Sequence, residues 1–374
     1  MTVKKILILT AGFGEGHNSA ARGVRDGLLR VAPGEVEVEL RDLFPKTYGA
    51  FNEFVRRTYL AVINQWPGSW GYVYRWLDAI PNHDERLARF IRLKEHFARL
   101  LDSFQPDIVV STFPPYPYLL RHIRGPDTRC KNIVVITDSI TVNAIWYRCD
   151  PDYFLAPNEQ SAAVVRAAGI RPEKIKTFGF PVSPKFADLA LAAGRVRPTG
   201  GQDRQSFVPG ERPRILYVIN AGKKRAPDTV KQLLGLNIDL TIAVSHDERL
   251  RRHLQKATAD RAIDIIGWTD DMPGLLCRSH LLIGKAGGAT VQETIAARCP
   301  MIVNHVVSGQ EEGNARLIVE TNSGTVALTP AAVAAAVQRA LADDAKQWRE
   351  WSCNISQLSR PRAALDTAEF LLSI

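Results

Sequence analysis

Short apolar runs alternate with longer stretches of helical periodicity along this chain, and that alternation predicts its elements. Residues 6–10, apolar through Leu9, read as a strand of the kind buried on both faces of a sheet. A glycine-rich turn follows at residues 12–16, and residues 18–31 carry Ala20, Val24 and Leu28 on one helical face. This is one strand-helix unit. Residues 36–40 alternate as a second strand, and 108–111, 133–137 and 153–156 read as later ones, separated by helical stretches such as 86–104 and 160–168. Residues 194–214 then change abruptly to Gly, Pro, Arg and Gln with almost no apolar period, the composition of a linker. A second series starts at 215–219 and continues through 240–244, 264–266, 281–283 and 301–304, closing with an alanine-rich helix over 331–342. Strand alternating with helix predicts parallel sheets covered on both faces.

The expected fold is therefore α/β, with two Rossmann-like parallel-sheet domains facing across a cleft. Residues 1–193 form the first domain, 194–214 the linker and 215–345 the second domain. Residues 346–374 are a helical segment. At 374 residues, 45% hydrophobic and 23% charged, the chain is long enough and ordinary enough in composition for two such cores. A net charge of +9 favours anionic partners, whether nucleic acid, an acidic membrane surface or a phosphorylated substrate. The basic residues are dispersed and no nucleic-acid-binding module is legible, which disfavours nucleic acid. Five scattered cysteines indicate neither a zinc site nor a disulfide framework and fit a reducing cytoplasm. Lys4 and Lys5 precede an apolar run too short for a signal peptide, and no run approaches the roughly 20 residues of a spanning helix. Any meeting with a membrane is expected to be peripheral.

The densest chemistry lies in residues 283–315. Gly287 and Gly288 break the strand where it must hand over to a helix beginning near Thr290, with Ala289 between. Unpaired N–H groups at that helix start would suit a diphosphate. Thr290 and Glu293 also match a capping box, and Ser308 to Glu311 match the same template, so a purely local role stands beside the ligand role. Glu293, Gln310 and Glu311 all fall at carboxyl ends of consecutive strands, the edge where open α/β sheets bind ligands, and vicinal sugar hydroxyls need such acceptors.

In the first half, the turn containing Gly12, Gly14 and Gly16 has the spacing G-x-G-x-G, which does not match the dinucleotide fingerprint. His17 ends it, either as a general base or as a hydrogen bonder at the helix start. Asp138 follows a strand and either orients His17 by accepting its ring N–H or caps the next turn. Asp150-Pro151-Asp152 mimics a D-x-D metal motif but reads as a turn, so no metal and no cofactor are expected. Lys223, in the first turn of the second domain, either neutralises a diphosphate or belongs to a solvated charge run. Gly267, Trp268 and Thr269 sit in a polar loop able to read a base edge, unless Trp268 merely packs. Residues 44–81 are dense in aromatics and arginines, with Trp66, Trp70 and Trp76 among them. That composition fits a membrane interface or a hydrophobic helical pair.

KAGGATVQE followed by Pro300 and then GQEEGNA resembles the donor-binding signature of glycosyltransferases related to monogalactosyldiacylglycerol synthase, bacterial processive diacylglycerol glucosyltransferase and the peptidoglycan lipid-linked N-acetylglucosaminyltransferase. TAGFGEGHNSAA is similar to the family's glycine-rich turn with histidine, although relatives with consecutive glycines lack Phe13 and Glu15. Thr137-Asp138 with Trp146 is similar to its Thr-Asp motif and later tryptophan. The resemblance implies a GT-B architecture and an inverting transfer of galactose or glucose from UDP-galactose or UDP-glucose to a diacylglycerol-type lipid at an anionic membrane surface. It implies His17 as base, Glu293 on the ribose, Gln310 and Glu311 on the sugar, and the 265–272 loop on the uracil. It places Gly14 and Gly16 on the acceptor side and lets residues 346–374 cross back to the first domain. A UDP-sugar 2-epimerase of the same architecture, or a catalytically silent binding protein, is the rival expectation.

Overall fold

The computed structural model describes residues 3–65, 83–125, 130–193, 211–261, 263–307 and 311–374. Trp66, Trp70, Trp76 and Gln310 lie outside the described residues. The chain forms two compact units: Met1–Pro184 with Val307–Gly313 and Arg362–Ile374, and Lys185–Val306 with Asn314–Pro361.

In the first unit, β1 (Lys4–Thr10), β2 (Val36–Asp42), β3 (Ile108–Ser111), β4 (Lys131–Val135), β5 (Tyr153–Leu155) and β6 (Ile175–Lys176) form one sheet. Its order is β2-β1-β3-β4-β5-β6, and every pairing is parallel. Ile6 to Leu9 are fully buried, as a central parallel strand covered on both faces requires. The flanking helices are α1 (Glu15–Val31), α2 (Leu43–Gln65), α3 (His83–Ala88), α4 (Ile91–Phe104), α5 (Pro115–Arg124) and α6 (Glu159–Ala167). The helical stretch expected over 86–104 is broken at Arg89-Phe90, where local turns replace the helical ladder: Phe90 N–H donates to the Leu87 carbonyl and Ile91 N–H to that of Arg89.

The second unit has α7 (Lys185–Ala192), then β7 (Arg214–Val218), α8 (Ala226–Leu233), β8 (Asp239–Ala243), α9 (Glu248–Ala257), β9 (Asp264–Ile266), α10 (Met272–Arg278), β10 (Leu281–Lys285), α11 (Gly288–Ala297), β11 (Met301–His305), α12 (Glu312–Glu320), β12 (Gly324–Val326) and α13 (Pro330–Leu358). Its sheet order is β12-β11-β10-β7-β8-β9, again all parallel. The division of the chain falls after Pro184 rather than at 193, because α7 packs against α10 and α11. The helix α13 has non-helical backbone at residues 342–345, where the alanine-rich stretch ends. Its continuation to Leu358 stays in the second unit, and only Arg362–Ile374 joins the first. There α14 (Ala363–Ser373) packs on α1, and Lys4 Nζ donates to the carbonyl oxygens of Leu372 (2.9 Å) and Ile374 (2.7 Å).

Each sheet has a topological switch point where successive strands are added on opposite sides, the place where open α/β sheets hold ligands. In the first it lies between β1 and β3, and in the second between β7 and β10.

Candidate functional site

At the first switch point, β1 gives way to the glycine turn and α1. The helix begins at Glu15 with Gly14 as an extended N-cap that makes no side-chain cap bond. This is three residues earlier than the expected start at Asn18, so Gly16 and His17 lie in the first turn. The half-buried His17 ring is held from the neighbouring strand ends. Its Nδ1 lies 2.8 Å from the Thr112 carbonyl oxygen, just after β3, and 3.0 Å from Thr137 Oγ1, after β4. A carbonyl oxygen only accepts, so Nδ1 carries the proton and Nε2 carries the lone pair. Thr112 is itself pinned, its hydroxyl donating to the carbonyls of Leu9 and His17. Neither Thr112 nor its neighbour Phe113 stood out in the sequence. The only signal was their place at a strand end before Pro114 and Pro115.

Phe113 meets the imidazole edge-on at a centroid distance of 5.1 Å, and Trp146 lies tilted at 5.9 Å. The Asp138 carboxylate accepts the Trp146 indole N–H at 2.9 Å. The ring N–H that Asp138 was expected to take is held instead by Thr112 and Thr137, and Asp138 reaches His17 through the tryptophan that packs on it. Desolvation disfavours the imidazolium and lowers the His17 pKa to about 4, against the opposing pull of the Thr112 carbonyl. The side chain is neutral at pH 7. Asp42, at the end of β2, accepts Gly12 N–H at 2.8 Å and Phe44 N–H at 3.0 Å, tying the glycine turn to the start of α2. Burial raises its pKa, against those two hydrogen bonds.

At the second switch point, β10 runs into Ala286-Gly287, and α11 starts at Gly288 with Gly287 as N-cap and no side-chain cap bond. The helix was expected to begin near Thr290. Starting two residues earlier puts Thr290 inside the first turn and Glu293 a further turn along, so these two residues do not form the capping box their spacing allowed. The N–H groups of Gly288, Ala289 and Thr290 precede the first intrahelical bond, Val291 N–H to the Gly287 carbonyl at 2.9 Å. Glu293 is half-buried. After β9, Gly267 leads to Trp268, which is 63% exposed and stacks on His246 at 5.7 Å and 12°. It is therefore not packed into the core. Thr269 Oγ1 accepts the Asp271 N–H at 3.0 Å. Lys223, after β7, pairs with Asp247 at 2.7 Å. That carboxylate also accepts the Leu250 N–H at the start of α9, and the Lys223 hydrogen bond leads in lowering its pKa.

Glu311 is buried, and its carboxylate accepts Val307 N–H at 3.0 Å, closing its own turn. The segment Val307–Gly313 groups with the first unit. There Gly313 is required by close approach, since a Cβ would stand 2.3 Å from both the Ser139 carbonyl oxygen and Thr141 Oγ1. Asp150 and Asp152 are engaged elsewhere, by Lys174 and by Lys131 with the Asn132 N–H. Among the described residues no group of three or more His, Cys, Asp or Glu side chains could hold a metal ion.

Two parallel sheets with glycine turns at their switch points define the class. The first turn carries a neutral histidine and the second an uncapped helix start, which together make a GT-B protein. Over residues 17–182 the chain matches the family model for monogalactosyldiacylglycerol (MGDG) synthase, and over 218–360 that for the glycosyltransferase family 28 C-terminal domain. It is a glycosyltransferase of the family 28 and MGDG synthase type. The chloroplastic MGDG synthase of Spinacia oleracea is 24% identical over 376 residues, covering 96% of this chain and 70% of that protein. Among solved structures, MurG of Acinetobacter baumannii matches with a TM-score of 0.63 at 13% identity, covering 99% of this chain and 100% of that one. UDP-GlcNAc 2-epimerase of Neisseria meningitidis, bound to UDP-GlcNAc, matches with a TM-score of 0.60 at 12% identity and the same coverages. No helix among the described residues is long and apolar enough to cross a membrane.

Proposed function

We propose that this protein is an inverting transferase that moves galactose or glucose from a UDP-sugar to a lipid hydroxyl of the diacylglycerol type. The observation that carries the reading is the state of His17. Its Nδ1–H is committed to the Thr112 carbonyl, and its ring is neutral at pH 7, so Nε2 is available as a base. In the proposed step Nε2 takes the acceptor hydroxyl proton, the acceptor oxygen forms a bond to the anomeric carbon, and the bond to UDP breaks with inversion. The N–H groups at the start of α11 stabilise the departing diphosphate, Glu293 accepts from the ribose hydroxyls, and Trp268 with Thr269 faces the uracil. Charge stabilisation by these groups replaces a metal.

The MGDG synthase relatives support a galactosyl donor and a diacylglycerol acceptor. A neighbour that binds UDP-GlcNAc supports a UDP-linked donor. Peripheral contact with an anionic membrane completes the proposal. Exposed Phe51 and Phe54 on α2, and exposed Phe90 and Ile91 at the start of α4, which packs against α2, support it. Mass spectrometry of lipids after incubation with membranes and each UDP-sugar tests the reading, with a new hexosyl lipid as the expected product. The epimerase reading, favoured by fold likeness alone, predicts conversion of a UDP-sugar without acceptor.

A further inference from the structure

Between the end of β4 and Trp146 the chain makes a turn that its own residues resist. Ile140 stands at φ 60°, a left-handed backbone that a β-branched side chain rarely adopts. The Thr141 N–H closes back on the Ser139 carbonyl at 2.7 Å, two residues earlier, which makes this a γ-turn of the strained kind. Such a turn persists where its surroundings hold it from more than one side.

Two residues from distant parts of the chain do so. Ser161, fully buried in the first turn of α6, accepts the Ile140 N–H at 3.1 Å and donates its hydroxyl to the Asp138 carbonyl at 3.2 Å. The helix itself does not use that hydroxyl, since its N-cap Asn158 takes the Ser161 backbone N–H at 2.8 Å. From another direction Gly313, in the segment that groups with the first unit, stands so close that a side chain there would strike the Ser139 carbonyl oxygen and the Thr141 hydroxyl.

The turn matters to the histidine because the residues on either side of it meet the imidazole. Thr137, just before the turn, brings Oγ1 to 3.0 Å from His17 Nδ1. Asp138 holds the Trp146 indole N–H at 2.9 Å, and the Trp146 ring lies on the imidazole at 5.9 Å. A shift of the turn therefore displaces both supports of the ring. Misplacing a catalytic group by about 1 Å can cost on the order of a hundredfold in rate.

We propose that Ser161 and Gly313 are positioning residues for His17, acting through the turn at Ile140 and through Asp138 and Trp146. That the ring so placed takes a proton from an acceptor rests on the transferase reading. The placement itself does not.

The test reads the ring by nuclear magnetic resonance and the reaction by kinetics. In the full chain, with the side-chain nitrogens of His and Trp isotopically labelled, the two signals are identified by their loss in His17→Gln and Trp146→Phe. Ser161→Ala removes one hydroxyl, and Gly313→Ala adds one methyl to a helix that would otherwise gain from it. Each should shift the His17 and Trp146 signals and speed exchange of the Trp146 indole proton with water. Ser161→Ala should also lower kcat about tenfold or more while leaving the UDP-sugar KM in place. If Ser161→Ala fails to fold, Gly313→Ala decides, because it presses on the turn from another element. Signals that move in the variants while even wild type transfers no sugar would leave the positioning standing and sink the transferase reading. Unmoved signals in the folded variants would overturn the positioning, even beside a lower kcat, because the ring would then have kept its place.

Discussion

His17 and Thr112, 95 positions apart in the chain, are joined by a 2.8 Å contact between an imidazole nitrogen and a backbone carbonyl oxygen. The contact fixes the tautomer, so the basic nitrogen is Nε2. Substituting His17→Ala should reduce turnover about a hundredfold or more, the range for loss of a general base, with UDP affinity nearly intact. Steady-state kinetics and calorimetric titration with UDP check both halves. Wild-type turnover in the variant would require another base.

The same burial predicts a pH dependence of stability. His17 has a folded pKa near 4 against 6.5 unfolded, with desolvation as the leading cause, and buried His280 is shifted to about 4 in the same direction and for the same reason. The unfolded chain therefore binds protons first as pH falls. The stabilisation is full above pH 6.5 and is lost as pH drops towards 4, at about 1.4 kcal/mol per pH unit for each histidine. Urea unfolding of wild type and His17→Gln at pH 7.5, 5.5 and 4.5 should show the two differing less at low pH. A constant difference across that range would contradict the shift at His17.

Glu293→Gln should weaken UDP binding more than it lowers the melting temperature. Because α11 starts at Gly288, Glu293 is not the third residue of a capping box begun by Thr290. A ribose hydroxyl loses a charged acceptor in the variant and keeps only a neutral one. Unchanged UDP affinity by calorimetry would remove Glu293 from the donor site.

Transfer should persist in EDTA. The carboxylates of the D-x-D sequence are engaged by Lys174 and Lys131, and the diphosphate is assigned to backbone N–H groups. Activity lost on chelation and restored by magnesium or manganese would overturn the metal-free mechanism.

What the sequence made legible follows from the kind of interaction involved. The strands of both sheets were readable because parallel strands buried on both faces must be apolar throughout, as Ile6 to Leu9 and Leu281 to Ile283 are. The starts of α1 and α11 were read late because both have glycine N-caps, which carry no side-chain signal. Thr112 was invisible because it acts through a carbonyl that every residue possesses. Asp138 was singled out, but its route to His17 through Trp146 depends on packing that no spacing reports.

The exposed apolar residues of the first unit bear on how a lipid acceptor would be reached. Phe51 and Phe54 are 66% and 65% exposed on α2, and Phe90 and Ile91 are exposed at the start of α4, flanked by exposed Arg89 and Arg92. Large side chains left in water beside cations are what an anionic interface takes up, the rings at headgroup depth and each arginine adding about 1 kcal/mol near the charged surface. These contributions separate by salt. Raising ionic strength should weaken vesicle binding by screening the arginines, and Arg89→Gln with Arg92→Gln should flatten that dependence. Phe51→Ser with Phe54→Ser should weaken binding equally at low and high salt, with circular dichroism unchanged because neither side chain is part of the core. Trp66→Ser and Trp70→Ser extend the series into the adjoining aromatic stretch. Flotation with vesicles of increasing anionic fraction reads all of these. Wild-type protein that fails to float with anionic vesicles at low salt would withdraw the membrane from the proposal and make a soluble acceptor the better hypothesis.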